Sequence, residues 1–275
     1  MDTKELIRKC KVIFIQECSE RKLSIISEMK EKGGNIVANS LVGKILIARN
    51  IHTEGIGTAL VQAWRTNKEV KIENLGNNVF LFKFGSEVDK RKVMVGGLWH
   101  FDRALIVLEE PRGIGNIRKH KFTHVTFWVQ FHNVPIGCME PESIHNLGEL
   151  FGEALEVEID DEGECIGPYA RVRISIDITK PLQKMVFLEL EKDDEVELPV
   201  LYERLPYFCF CCGLIGHQFK ECEAYKRQPK DKLPYGMYMR ALSKAEKTKL
   251  NRGRERWNRR FEQTTNGYTN SETSK

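Results

Sequence analysis

The chain has 275 residues, 41% of them hydrophobic and 30% charged, with a formal net charge of +4 at pH 7. That is enough apolar material for one large domain or two small ones with extensions, and no stretch approaches the roughly 18 apolar residues of a membrane span. The charged opening MDTKELIRKCKVIFIQ has no long apolar h-region, so a secretory signal is not expected. Cys209, Cys211, Cys212 and Cys222 cluster, whereas Cys10, Cys18, Cys138 and Cys165 are scattered. That usage suits a reducing compartment and an intracellular protein, of nucleus or cytoplasm, better than a disulfide framework.

The small net charge hides a segregation. Residues 1–139 carry 22 basic and 14 acidic side chains, residues 140–203 carry 5 and 18, and residues 223–275 carry 14 and 6. A basic end points to a polyanionic partner, because phosphate neutralisation supplies most sequence-independent affinity. The acidic middle argues against nucleic acid lying on that part.

In chain order, residues 1–40 form an N-terminal extension in which Leu23, Ile26 and Met29 suit a helix that Gly33-Gly34 should break. KILIAR (44–49) reads as a strand, EGIG (54–57) as a turn, and Thr58 as the cap of a helix carrying Leu60, Val61 and Trp64. VKIENL (70–75) and VFLFKF (79–84) read as strands about a Gly76-Asn77-Asn78 turn. A second helix from Glu87 places Val88 and Val95 on one face, and ALIVLEE (104–110) closes the unit. The order β-α-β-β-α-β over 41–115 is the ferredoxin-like α+β plan, shared by many RNA-recognition domains. Such domains stack bases on rings of the open sheet face. Here Phe80, Phe82 and Phe84 share one face of their strand and are expected to face the helices as core, leaving Val79, Leu81 and Lys83 on the other.

Residues 120–205 read as a second, mostly antiparallel α+β part. Its strands are VTFWVQFH (125–132), ALEVEID (154–160), ARVRISIDI (170–178), MVFLEL (185–190) and VELPVLYE (196–203), with a helix over 141–152. Phe127, Val129 and Phe131 should point inward and Trp128 outward. This sheet either closes onto the first unit or stands by itself.

CFCCGLIGHQFKEC follows, and Cys209, Cys212, His217 and Cys222 have the spacing C-x2-C-x4-H-x4-C. Three soft thiolates and one imidazole suit tetrahedral Zn2+. Cys211 breaks both spacings and is left as a spare thiol. A knuckle of 206–223 has little core of its own, so metal binding should supply most of its folding free energy. Gly213 and Gly216 should supply the positive φ angles of a chain wrapped about an ion. Phe210 and Phe219 are the expected stacking surface, with Lys220, Lys226 and Arg227 on phosphates. Residues 224–275 read as a basic, largely disordered tail whose RGRERWNRRF stretch combines Arg252, Arg254, Arg256, Arg259 and Arg260 with Trp257, a composition suited to single strands.

The blocks SLVGKIL (40–46), NNVFLFKF (77–84), GGLWHFDRALIVLE (96–109), FWVQFHNVPI (127–136), RVRISIDITKPL (171–182) and YERLPYFCFCCGLIGHQFKEC (202–222) resemble plant retrotransposon-related proteins. Those proteins join a domain of unknown function to a zinc knuckle of this spacing. The resemblance implies a nucleic-acid-binding protein like the first-reading-frame or gag-like product of a mobile element, or its domesticated descendant. Leu98-Trp99-His100 departs from the Pro-Trp-Ser common in that family.

Other constellations are weak. His120, His124 and His132 form a candidate second metal site, although scattered strand-edge histidines are more often solvated. Glu156, Glu158, Asp160, Asp161, Glu162 and Glu164 would have to converge to hold the ions of a nuclease, and strand alternation separates them. Gly55-Ile56-Gly57 and Gly113-Ile114-Gly115 lack a nucleotide-binding context, and no catalytic triad signature stands out. The expectation is therefore a non-enzymatic, zinc-dependent binder of single-stranded RNA or DNA, RNA foremost, with possible self-association and neither a membrane nor a small-molecule partner. An adaptor using the acidic face, and a metal-dependent nuclease, are the alternatives.

Overall fold

The computed structural model describes residues 3–5, 27–112, 116–117, 120–191, 194–225 and 233–242. The first unit runs α1 (Ser27–Ala38), β1 (Ser40–Ile45), α2 (Thr53–Trp64), β2 (Val70–Gly76), β3 (Val79–Phe84), α3 (Glu87–Val95), β4 (Trp99–Phe101) and β5 (Ala104–Glu109). Its strands lie in the order β2-β3-β1-β5-β4, with every neighbouring pair antiparallel. Without β4 this is the ferredoxin-like arrangement; β4, built from the Trp99-His100 segment, adds a three-residue edge strand.

The alternation in β3 does what its period dictates. Phe80, Phe82 and Phe84 are buried beneath α2 with Ile56, Leu60 and Trp64, and Trp64 meets Phe82 edge-on at 5.0 Å. The helices depart from expectation in three places. EGIG is not a turn: α2 starts at Thr53 and includes it, so Thr58 caps nothing. Gly33 and Gly34 lie within α1 and do not break it. Val88 and Val95 are 71% and 61% exposed, while α3 buries Asp89 and Val93. A nine-residue helix touches the sheet over barely one turn, and the Asp89 carboxylate fixes which turn, accepting from the amides of Asn67 and Lys68 at 3.0 Å. Those amides hold Asp89 below the usual carboxylate range.

The second unit runs β6 (His124–His132), α4 (Pro141–Glu149), β7 (Glu153–Val157), β8 (Tyr169–Asp177), β9 (Met185–Glu191), β10 (Asp194–Glu203) and β11 (Arg240–Ala241). The order is β11-β10-β6-β8-β7, with β9 paired to β10, and only β10–β11 is parallel. Phe127, Val129 and Phe131 face inward as expected, and Ile144, Leu147 and Phe151 at α4 pack on them.

Both alternatives for this sheet hold at once: it stands by itself and also covers the first. Val42, Leu98, Leu105 and Val107 of the first unit share one core with Phe127, Val172, Ile174, Leu198 and Tyr202 of the second, and Val79 and Leu81 pack at its margin. The sheet face that an RNA-recognition domain leaves open is therefore an internal layer here.

The reading of 224–275 as disordered does not extend to 233–242. Met239 is fully buried, and Arg240–Ala241 pairs with Tyr202 and Glu203. Residues 243–275 lie outside the described residues.

Candidate metal centre and nucleic-acid interface

The chain leaves β10 through Arg204, whose backbone is left-handed at φ 52°. Phe208 and Ile215 then form a β-bridge across the base of the knuckle. The Cys209 amide donates to the Leu214 carbonyl at 2.8 Å, and the Gly213 amide to the Cys209 carbonyl at 2.8 Å. Gly213 and Gly216 have φ of +75° and +107°, as a loop turning back on an ion requires. Gly213 has a second reason to lack a side chain: a Cβ there would lie 2.5 Å from the Tyr235 ring.

These turns gather the Sγ atoms of Cys209, Cys212 and Cys222 and a ring nitrogen of His217 within 4.8 Å of one another. Cys212 Sγ and His217 Nε2 are 3.4 Å apart. A tetrahedral zinc with bonds of roughly 2.0–2.3 Å sets its donor atoms about 3.5–3.8 Å apart, so the cluster fits that ion with small adjustment. Cys209 and Cys222 are buried, and Cys212 and His217 half-buried. Burial and the neighbouring Cys209 push the Cys212 thiol up to about 12. Burial acts the same way on Cys222, but hydrogen bonds from His217 and from the Tyr225 and Ala224 backbone outweigh it and bring that thiol down to about 6. A metal entering the cluster would therefore have to displace protons.

Cys211 is buried beside the cluster without joining it. Its amide donates to Cys209 Sγ at 3.4 Å, and burial together with Cys222 pushes its own thiol up. This is the orienting role that outer hydrogen bonds have at metal ligands.

The base of the knuckle is also held by the body of the protein. Phe208 and Ile215 belong to the main core, with Leu46 of the first unit at its margin. The Leu182 amide donates to the Gly213 carbonyl at 3.0 Å, and the Tyr235 amide to the Phe210 carbonyl at 3.1 Å.

The Phe210 and Phe219 rings lie 6.2 Å apart with planes 8° from parallel, and both are half-buried. Phe208 buttresses Phe210 edge-on at 5.1 Å, and Tyr225 buttresses Phe219 at 5.2 Å. Sequence reasoning named the inner pair and missed the outer one. An aromatic three residues past the last ligand was the available sign of Tyr225. Phe219 opens a 3-10 turn (Phe219–Glu221) closed by a Gln218/Glu221 capping box, on which Lys220 is exposed. Lys226, Arg227, Arg252, Arg254, Arg256, Trp257, Arg259 and Arg260 lie outside the described residues.

The weaker constellations are not brought together. His120 Nδ1 sits 2.7 Å from Glu109 Oε2, His124 contacts Thr123, and His132 stacks on Tyr169. Glu156 and Glu158 pair with Arg173 and Arg171, while Asp160 accepts from the amides of Glu162 and Glu164. Among the described residues, the three-cysteine, one-histidine cluster is the one group of three or more such side chains placed to hold a metal.

Residues 37–110 match the family described as Domain of unknown function (DUF4283), and residues 176–224 match the Zinc knuckle family. The second match takes in β9 and β10 as well as the loop, in keeping with a knuckle built onto its sheet. The chain is also 25% identical over 114 residues to Uncharacterized protein At4g02000 of Arabidopsis thaliana, covering 42% of this chain and 36% of that relative.

Proposed function

We propose that this pairing of a domain of unknown function with a zinc knuckle makes the protein a zinc-dependent, non-enzymatic binder of single-stranded nucleic acid, RNA foremost, inside the cell. The observation that carries the reading is the four-donor cluster with the parallel Phe210 and Phe219 rings beside it. Zinc would tie the two limbs of the loop together; Cys209, Cys212, His217 and Cys222 would hold it. The rings would stack unpaired bases, worth about 1–3 kcal/mol per base, and Lys220 would meet a phosphate. Lys226, Arg227 and the arginines of 252–260 with Trp257 would extend the phosphate contacts. The resemblance to mobile-element proteins makes a gag-like product or its domesticated descendant the natural setting.

Fluorescence anisotropy with a labelled unstructured 12-mer tests this. The full chain should bind, lose binding on zinc chelation, and bind markedly less tightly as Phe210→Ala with zinc retained. A zinc-loaded protein that binds no strand, or a Phe210→Ala variant of unchanged affinity, would overturn the reading. Magnesium-dependent cleavage of the strand would overturn its non-enzymatic part.

A further inference from the structure

A cleft of about 1090 Å³ opens between the two sheets and the strap that leads to the knuckle. It is lined by His100 and Arg103 at the β4–β5 hairpin, Arg171 on β8, Arg204 and Tyr207 on the strap, and Arg240 on β11. The carboxylates in its wall are Glu158 and Glu203, and both are bound by Arg171: Nε and Nη2 reach Glu203 at 2.8 and 2.9 Å, and Nη1 reaches Glu158 at 2.8 Å. The same guanidinium lies 3.8 Å from the Trp128 ring centroid, which fixes it in place.

The other three guanidiniums form no salt bridge among the described residues, although the neighbouring Asp102 carboxylate acts on Arg103. Arg103 Nη1 donates to the Tyr207 hydroxyl. Arg204 donates to the Leu98 carbonyl at 2.5 Å and lies 3.5 Å from that of Gly96, and Arg240 donates to the Leu205 carbonyl at 2.7 Å. Carbonyl oxygens orient a guanidinium without neutralising it. The cleft thus concentrates fixed positive charge; two buried atoms of its lining residues, His100 Nε2 and Arg240 Nε, have no hydrogen-bond partner among the described residues. Burial, Arg204 and Arg240 bring His100 down to about 4, so the ring adds no charge near neutral pH. Planar forks held in advance are the form in which arginine recognises phosphate.

We propose that this cleft is a phosphate-binding site for the backbone of the same single strand whose bases meet the knuckle. Arg103, Arg204 and Arg240 take the phosphates, and Tyr207 lies beside them. The inference rests on the single-strand reading above and adds a second contact surface to it. The two surfaces are joined along the chain. Tyr207 lies two residues before Cys209, and the segment that stacks Tyr235 on Gly213 continues through Met237 to Arg240 in the cleft. A strand leaving Phe210 would run along these two segments into the cleft. Sequence reading could not assemble the site, since its basic side chains come from four separated stretches, one of them in the segment read as acidic.

The test uses the zinc-loaded full chain and the 12-mer across a salt series. Arg103→Gln removes a cation hydrogen-bonded to Tyr207, and Arg240→Gln removes one anchored at Leu205; melting curves and zinc content establish that each variant is folded. Each should bind roughly three- to tenfold more weakly and flatten the slope of log K against log salt by about 0.7. The Phe210→Ala variant should leave that slope unchanged. Wild-type slope and affinity in folded Arg103→Gln and Arg240→Gln, with Phe210→Ala still impaired, would overturn the cleft and spare the knuckle. Absence of strand binding by the wild type would overturn both. Inorganic phosphate and a mononucleotide serve as competitors: displacement only at concentrations far above that of the strand supports a backbone site. Displacement of the strand by a mononucleotide at equal concentration would assign the cleft to a small phosphate ligand and overturn the proposal.

Discussion

Gly213 and Cys211 show how closely the knuckle is fitted to its surroundings. Gly213→Ala would place a Cβ at a φ of +75° and 2.5 Å from the Tyr235 ring. The expected cost is about 1–3 kcal/mol, read as a lower midpoint in chemical denaturation. Tyr235→Ala in the same chain should return part of it, because only the steric share is relieved. Cys211→Ser should keep one equivalent of zinc, whereas Cys212→Ser should lose it; metal analysis after dialysis distinguishes the two. His100 makes a prediction about acid. Its folded value of about 4 lies below the ordinary 6.5, so the unfolded chain takes up a proton that the folded protein refuses. Its contribution to stability is complete above pH 6.5 and is lost as pH falls from 6.5 to 4. Denaturation at pH 7 and pH 5 should therefore show a smaller acid loss in His100→Gln than in the wild type.

At the level of elements, period and tertiary context divide what could be read. The strands were legible because alternation survives burial: Phe80, Phe82 and Phe84 went under α2, and Phe127, Val129 and Phe131 into the main core. The knuckle was legible because metal ligation fixes spacing. Helix α3 was misread because Val88 and Val95 look like a buried face, while a single turn through Val93 and the amide-bound Asp89 decides its seating. Residues 233–242 were read as tail because Pro-Tyr-Gly-Met-Tyr-Met has no period at all. Their order comes from Tyr235 on Gly213, Met239 in the core and β11 beside β10. Met239→Ala should accordingly cost about 2–5 kcal/mol, an amount not expected of a residue in a loose tail. A shift in the thermal midpoint of the full chain would measure it.

For the whole molecule, the shared core makes two sequence units into one structural body. Val42, Leu105 and Val107 are nearly inaccessible because the second sheet covers them. A fragment of residues 37–110 should expose that face and associate or precipitate more readily than the full chain; light scattering on the two would show it. Chelating zinc from the full chain should loosen the loop around Cys212 and His217 and leave the main melting transition in place, since Phe208 and Ile215 are anchored in the large core.

Arg204 has one further consequence. Its left-handed backbone turns the chain out of β10, and its guanidinium donates to the Leu98 carbonyl of the other unit, so the entry to the knuckle is tied to the body. Zinc modules on slack tethers must surrender orientational freedom to each strand they catch. Here that surrender occurs once, during folding, and binding should carry a correspondingly smaller entropic penalty. Replacing Arg204 with alanine would give the tether slack and remove one cleft cation, and calorimetry should register a less favourable binding entropy beyond the change in Arg103→Gln, which removes a cleft cation alone.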